Sequence, residues 1–421
     1  MLNPKPKAYK VRLYPNQSQE TLLLKNAGCR RFVYNWGLNR RIKAYNKDKK
    51  LTHNKLTTWL PLLKEKHLWL KEADSTNLQQ ALRDLDKAYQ NFFRRVKNGE
   101  KPGFPKFKSK HGKAKFRLQA ASTLRLDYKS RKVKLGKLGL FKYRGKTPSK
   151  LQRVVNISVS QDSNSKWYCS MLVEENQTPL PKTGKLNGYD LGLTTLLTGS
   201  ASLIVKSPKS TKTYEKKLKR AQQKLSKKKK GSSNYNKQKK KVGKLHFKIK
   251  SVRKDFNHKL SKQLVESNDV IVMENLCVKG LAKTKLAKSI HDASWSQFLT
   301  FLSYKCDWYG KDLLFVDRFF PSSKLCHVCG TKTNLTLSDR IWTCTKCKVK
   351  HDRDVNAARN LTLWGRYYVN GFDLTPDEYQ TKRQQKFSRV GTTRFQAYGD
   401  SVSPLTSVKG KNLRSRKPLR R

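Results

Sequence analysis

Cys326-His327-Val328-Cys329 and Cys344-Thr345-Lys346-Cys347 set four thiols in two pairs, with fourteen residues, Gly330 to Thr343, between them. A redox-active dithiol needs only one such pair. Two pairs at this separation fit two knuckles closing on a single tetrahedral zinc ion with no open coordination position. Zinc is therefore expected on Cys326, Cys329, Cys344 and Cys347. Gly330 follows the first pair, but Lys348 stands at the matching place after the second, so that turn must accommodate a side chain. The remaining cysteines, Cys29, Cys169, Cys277 and Cys306, lie in apolar surroundings at irregular spacing and read as buried free thiols.

The knuckles run directly into His351-Asp352-Arg353-Asp354-Val355-Asn356-Ala357-Ala358, where a helical pattern begins and Asp354 suits the N-cap. Two more carboxylates stand on apolar runs. Leu186-Asn187-Gly188-Tyr189-Asp190-Leu191-Gly192-Leu193 reads as a strand carrying one acid, and Val270-Ile271-Val272-Met273-Glu274-Asn275 delivers another at the end of a β-branched run. Taken singly, each fits a satisfied core or capping residue. A lone buried carboxylate is costly, however, and three of them in a chain this poor in acid call for a common reason.

Charge narrows that reason. The 421 residues hold 94 Lys+Arg against 29 Asp+Glu, a formal net charge of +65. Such a chain needs a polyanion, and nucleic acid bound with steep salt dependence is the expected partner. An anionic membrane lacks support, because no apolar run approaches the roughly 20 residues a bilayer span requires. Met1 to Lys10 carries no signal-peptide apolar region, so a cytoplasmic location is expected. Between Lys206 and Lys259 there are 22 Lys/Arg and only 2 acids, over two helical patterns broken at Gly231-Ser232-Ser233-Asn234. The second keeps an apolar stripe of Val242, Leu245, Ile249, Val252, Phe256 and Leu260, which leaves a cationic face for a phosphate backbone.

Magnesium keeps several waters and binds through a few carboxylates plus substrate phosphate, so sites that cut phosphodiesters gather acids from separate elements. Two such ions roughly 4 Å apart activate water and stabilise the leaving oxygen. Asp190, Glu274 and Asp354 suit that task.

Elsewhere, Tyr9 to Tyr14 alternates as a strand, and a helical stretch opens after Pro15 and runs through Ala27. Leu78, Ala81, Leu82, Leu85, Ala88, Tyr89, Phe92, Phe93 and Val96 mark an amphipathic helix behind the N-cap candidates Ser75 and Thr76. Lys101-Pro102-Gly103-Phe104-Pro105-Lys106-Phe107-Lys108 then interleaves aromatics with cations, so Phe104 and Phe107 either stack bases or anchor a basic loop to the core. From Lys115 to Glu175 the period is two, which predicts short strands and a small barrel. Asn176 to Gly184 reads as a linker.

Taken in order, Gly188-Tyr189-Asp190-Leu191-Gly192-Leu193, Met273-Glu274-Asn275-Leu276, the two Cys pairs and Asp352-Arg353-Asp354-Val355-Asn356-Ala357-Ala358 resemble the TnpB (OrfB) transposon-encoded proteins, relatives of type V CRISPR effectors. Arg12-Leu13-Tyr14-Pro15, Leu78-Gln79-Gln80-Ala81-Leu82 and Pro102 to Lys110 extend the resemblance over nearly the whole chain. It implies an α/β multidomain protein that acts as an RNA-guided DNA endonuclease. A RuvC-type, RNase H-like domain at 185–320 and 350–372 would hold Asp190, Glu274 and Asp354 as magnesium ligands, with a zinc ribbon inserted at 321–349. A β-barrel wedge domain would occupy 1–15 and 110–180, a helical recognition lobe 16–109, and a basic tail 373–421. The implied partners are a guide RNA from the transposon end and target DNA, with one protein per RNA. Base pairing then supplies sequence specificity, while the protein reads a short flanking motif. Gln79 and Gln80 are candidates for base-edge contact because Gln pairs bidentately with adenine, and Arg353 is a further candidate nucleic-acid contact.

Two other readings use the same residues: a transposase joining strands with the three carboxylates, and a silent RNA-guided or plain nucleic-acid-binding repressor. The tail from Lys409 to Arg421 holds seven Lys/Arg and no acid, and is expected to order only on nucleic acid.

Overall fold

A computed structural model describes residues 4–371 apart from 111, 120–123, 150–152 and 337, together with residue 378. The tail assigned to 373–421, with its Lys409–Arg421 run, lies outside the described residues but for residue 378. The chain begins with β1 (Lys5–Tyr14), α1 (Gln17–Tyr45), α2 (His53–Thr58), α3 (Leu60–Lys66), a helical turn at Leu68–Glu72 and α4 (Ser75–Lys97). Strands β2 (Lys115–Gln119), β3 (Leu124–Asp127), β4 (Lys132–Leu135), β5 (Leu140–Arg144), β6 (Val154–Gln161) and β7 (Trp167–Glu175) follow. Next come β8 (Leu186–Asp190), β9 (Thr195–Gly199), β10 (Ile204–Lys206), α5 (Ser210–Ser226), α6 (Ser233–Ser267) and β11 (Val270–Glu274). The last elements are α7 (Val278–Leu281), α8 (Ala287–Ala293), α9 (Trp295–Tyr309), β12 (Asp312–Val316), β13 (Ile341–Thr343), β14 (Lys350–Asp352) and α10 (Arg353–Val369). The described residues fall into two compact units, one within 1–177 and 218–247 and the other within 178–217 and 248–421, the chain crossing between them after Gln177 and within the basic helices α5 and α6.

In the first unit an antiparallel sheet runs β2-β6-β7-β1-β5-β4-β3. The expected period of two is realised: Tyr9, Val11 and Leu13 of β1 turn inward with Ile157, Val159, Trp167, Cys169, Met171 and Val173. The expected closed barrel is not what the ladder shows among the described residues, since β2 and β3 stand at its edges. Closure requires staggered pairing along both end strands, and β3 offers only four residues for it. The helical part packs Val33, Tyr34 and Leu38 of α1 against Leu78, Ala81, Leu82 and Leu85 of α4.

Helix α1 runs to Tyr45, well past the Ala27 limit that local signals set. Gly28 weakens it locally, but burial of the Val33 and Leu38 face outweighs a propensity cost of about 1 kcal/mol. Asp74, rather than Ser75 or Thr76, caps α4, its carboxylate accepting from the Thr76 N–H and hydroxyl. Cys29, Cys169 and Cys306 are buried free thiols as expected, but Cys277 is exposed because it lies outside the core, just before α7.

The second unit is built on a mixed sheet ordered β10-β9-β8-β11-β12, with β8, β11 and β12 parallel and β9 and β10 antiparallel. Both faces of β11 are covered, which is why it reads as an unbroken apolar run. Ile271 and Met273 pack with Leu260, Leu264, Phe298 and Leu302 on one face, while Val270 and Val272 meet Leu361 and Trp364 of α10 on the other. Among the described residues no helix is long and apolar enough to cross a membrane.

Candidate active site and metal centre

Parallel strands β8 and β11 pair in register, Gly188 with Val272 and Tyr189 with Met273, so Asp190 and Glu274 end the two strands side by side. The carboxyl ends of parallel strands are where open α/β sheets bind ligands. After β12 the chain turns back, and the Ser322 hydroxyl donates to the Glu274 carboxylate.

The third acid arrives on α10. Asp352, not Asp354, caps this helix, its carboxylate accepting from the Val355 N–H at 2.9 Å. Asp354 therefore sits inside the first turn, relieved of capping, at the positive end of the helix dipole. A close seam fixes α10 on β8: a Cβ at Gly188 would fall 2.5 Å from both the Ala358 carbonyl oxygen and the Thr362 nitrogen. The Gly188 N–H instead donates to Thr362 Oγ1 at 2.7 Å. Gly188→Ala should thus force the helix carrying Asp354 off the strand carrying Asp190. We expect a loss of about 3 kcal/mol in urea unfolding; a variant as stable as the parent would disprove the seam.

Electrostatics join the three acids. Burial first, then the charges of Glu274 and Asp354, push Asp190 up to about 8. Burial also raises Glu274, with the Ser322 hydrogen bond opposing and Asp354 adding to the rise. Arg340 brings one guanidinium nitrogen to 3.4 Å from each Asp354 oxygen. A buried carboxylate pushed up by its acidic neighbours suits a hard divalent cation, which would neutralise the group together.

A pH dependence follows. The folded value of about 8 for Asp190 lies above the roughly 3.9 of a free aspartate, so between the two the unfolded chain binds fewer protons than the native one. Stability without divalent metal therefore falls as pH rises through that window. Asp190→Asn should flatten the fall and gain about 2 kcal/mol at pH 8 in zinc-loaded protein without added magnesium, less than full dehydration would give because Asp190 keeps some exposure. Parallel urea curves at pH 5 and pH 8 measure it, and equal slopes with pH in the two proteins would refute it.

In the segment before α10, β13 and β14 pair, and Cys326, Cys329, Cys344 and Cys347 bring their sulfurs within 4.8 Å of one another. Among the described residues this is the one group of three or more candidate ligands so tightly gathered; the three carboxylates stand further apart. Cys326 to Cys347 and Cys329 to Cys344 are each 3.5 Å, close to the sulfur spacing of a zinc tetrahedron. Against the desolvation of burial, hydrogen bonding to Thr331 brings the Cys329 thiol down to about 7. The two knuckles match: the Gly330 N–H donates to the Cys326 carbonyl at 2.9 Å, and the Lys348 N–H to the Cys344 carbonyl at 3.0 Å. Both residues have positive φ, 73° at Gly330 and 58° at Lys348. Lys348 thus bears the strain its sequence position foretells, and Lys348→Gly should raise stability of the zinc-loaded protein by about 1 kcal/mol in thermal melts. A destabilised glycine variant would show that the lysine side chain matters more than the backbone.

A model described as "Probable transposase" matches residues 169–285, one described as "Cas12f1-like, TNB domain" matches 295–361, and one described as "Helix-turn-helix domain" matches 1–50. A relative from Streptomyces pristinaespiralis, named for a proposed RNA-guided DNA endonuclease, is 38% identical over 379 residues, covering 87% of this chain and 90% of its own. The chain belongs to the TnpB (OrfB) family. A relative from Escherichia coli (strain K12), with a name of the same kind, is 34% identical over 379 residues, covering 85% of this chain and 92% of its own. Among solved structures, that of the mini-RNA-guided endonuclease CRISPR-Cas_phi3 has a TM-score of 0.47 at 8% identity, covering 85% of this chain and 92% of that one. In this TnpB protein the span matched as a helix-turn-helix holds β1 and the single helix α1.

Other candidate residues of the TnpB chain scatter. Gln80 is 9% exposed in the α4 packing, and Gln79 beside it is half-buried. Phe104 meets Tyr89 and Phe92 edge-on and is 48% exposed, and Phe107 is 56% exposed. Arg353 donates to the Thr336 carbonyl at 3.0 Å, which ties its guanidinium into the cysteine segment.

Several site residues escaped the sequence reading. Arg340 and Ser322 lie in loops without periodicity, and nothing local marks them. Asn356 and Asn360 had a signal, two amides four apart on an apolar helix face. Asn356 donates to the Leu325 carbonyl and accepts from the His327 N–H, and Asn360 donates to the Ser322 and Leu325 carbonyls, so α10 grips the approach to the first knuckle. His351 brings an imidazole nitrogen to 3.2 Å from the Cys326 sulfur.

Proposed function

We propose that this TnpB protein is an RNA-guided DNA endonuclease whose phosphodiester hydrolysis is carried out at Asp190, Glu274 and Asp354. The observation that carries the site assignment is the meeting of these three acids from β8, β11 and α10 in a chain of net charge +65, with burial and mutual repulsion pushing Asp190 up to about 8. Magnesium held by the three carboxylates would supply an activated water and charge neutralisation at the scissile phosphate. Ser322 fixes the Glu274 carboxylate, and the Gly188 seam fixes the helix that bears Asp354. Arg340, once its Asp354 partner turns to the cation, is placed to meet a phosphate oxygen, where guanidinium hydrogen bonds are strong. Zinc held by Cys326, Cys329, Cys344 and Cys347 has a structural task, because all four positions are filled by thiolates.

In this reading the mixed sheet with α10 is a RuvC-type, RNase H-like domain, the cysteine segment its zinc ribbon, the antiparallel sheet of the first unit a wedge domain and α1 to α4 a recognition lobe. A guide RNA and target DNA are the partners, one protein to each RNA. The test is to purify the protein with its RNA and incubate the complex with DNA matching the RNA's end. Cleavage in magnesium or manganese, binding without turnover in calcium and steep weakening with salt support the reading. Undiminished cleavage after full chelation overturns the metal mechanism. The "Probable transposase" description over 169–285 favours a second reading, strand transfer, which the same reaction exposes as joined products retaining a 3′ end.

A further inference from the structure

Within α1, Gly28 has no steric reason to be glycine: a Cβ there would meet only an Arg31 guanidinium nitrogen, at 3.9 Å. Alanine at a helix interior is better by about 1 kcal/mol, so the missing side chain keeps space open for something other than the protein. That space is a groove of about 1010 Å³ beside Gly28, walled by Phe32, Trp36, Trp69 and Phe107. Ligand clefts occupy roughly 300–1,000 Å³.

The walls are held in place yet uncovered. Phe32 and Trp69 meet edge to face with ring centroids 4.9 Å apart, and Trp69 is nevertheless 43% exposed. Phe107 is pinned by a two-point clasp, Asn35 donating to the Lys108 carbonyl at 3.0 Å and accepting from the Lys108 N–H at 2.7 Å. Lys25 pairs with Glu72 at 2.6 Å, so the acid lining the groove is neutralised, while Arg31 lines it and Lys106 and Lys108 flank Phe107. Fixed aromatic faces with the Arg31 guanidinium beside them suit a base with its phosphate; an apolar peptide would leave Arg31 unused.

We propose that this groove binds an unpaired nucleobase, stacked on Trp69 and Phe107, with Arg31 meeting the adjoining phosphate. The inference rests on the nucleic-acid reading above and deepens it by naming where a splayed base is held. The base comes either from the RNA or from a DNA strand freed of its complement.

The test uses full-length zinc-loaded protein freed of nucleic acid in high salt, without added magnesium, with 5-iodouracil oligonucleotides offered as single-stranded RNA, single-stranded DNA and fully paired duplex DNA. After irradiation, adducts are mapped by mass spectrometry. Adducts at Trp36, Trp69 or Phe107 from single strands but not duplex support the proposal, and the preferred strand chemistry identifies the source. Gly28→Leu, which fills the groove while favouring the helix, should weaken single-strand binding about tenfold with no loss of thermal stability. Phe107→Ala, at an exposed position, should weaken it to a similar degree and decides the matter if the leucine variant folds poorly. Adducts confined to other regions, equal labelling by duplex, or unchanged affinity in Phe107→Ala would overturn the proposal. No cleavage step enters this readout, so failure of the nuclease reading leaves the adducts in place, and failure of the groove leaves guided cleavage standing.

Discussion

Asp190→Ala is expected to lower magnesium-dependent DNA cleavage by a factor of about 10³ or more while leaving the yield of co-purified RNA unchanged. The size of the effect follows from what one carboxylate does in such a site. Several kcal/mol of transition-state stabilisation depend on a fixed cation, and each 1.36 kcal/mol is about tenfold in rate. The selectivity follows from placement, because Asp190 lies among acids that repel RNA rather than on the basic helices that attract it. Asp352→Ala is the informative control. It removes the cap of α10, which costs about 1 kcal/mol of stability, but leaves all three acids in place. Single-turnover rates on a matched target compare the two, and an Asp190→Ala enzyme within a few-fold of its parent would sink the assignment.

Cys344→Ser is expected to release zinc and unfold the segment from Cys326 to His351, with cleavage lost as a consequence. Structural zinc contributes on the order of 10 kcal/mol to small domains, whereas the apolar packing available here is thin: Val328, Leu335 and Trp342 with the cysteines themselves. Loss of the segment carries away Arg340, the Thr336 carbonyl that holds Arg353, and the His327 N–H that donates to Asn356. Metal analysis should find one zinc in the parent and none in the variant, and hydrogen exchange should rise over 326–351 while the antiparallel sheet of the first unit stays protected. Full zinc in the variant, or unchanged exchange, would contradict a closed four-thiolate site.

What could be read from the residues alone depended on how local the cause was. The β1 alternation and the α4 stripe are written in neighbours two and four residues away, and the paired cysteines carry their partner's geometry with them. Caps were misjudged at both α4 and α10 for one reason: when Asp74 competes with Ser75, or Asp352 with Asp354, the backbone turn decides which side chain reaches the free N–H, and several adjacent candidates look alike. The length of α1 was underestimated because its second half is held by α4, a partner distant in sequence. Arg340 and Ser322 were invisible because their importance exists only in relation to Asp354 and Glu274.

The seam between Gly188 and α10 also sets a timetable. Asp190 and Glu274 leave the ribosome early enough to form neighbouring strands, but their third companion is made only after the cysteine segment, and docks only when the rest of its helix has emerged to lie across β8. A chain cut short just before that helix carries most of the positive charge and none of the completed chemistry. For a protein that acts on DNA, the order of synthesis is itself a safety catch, since unfinished copies could cling to nucleic acid without a means to cut it.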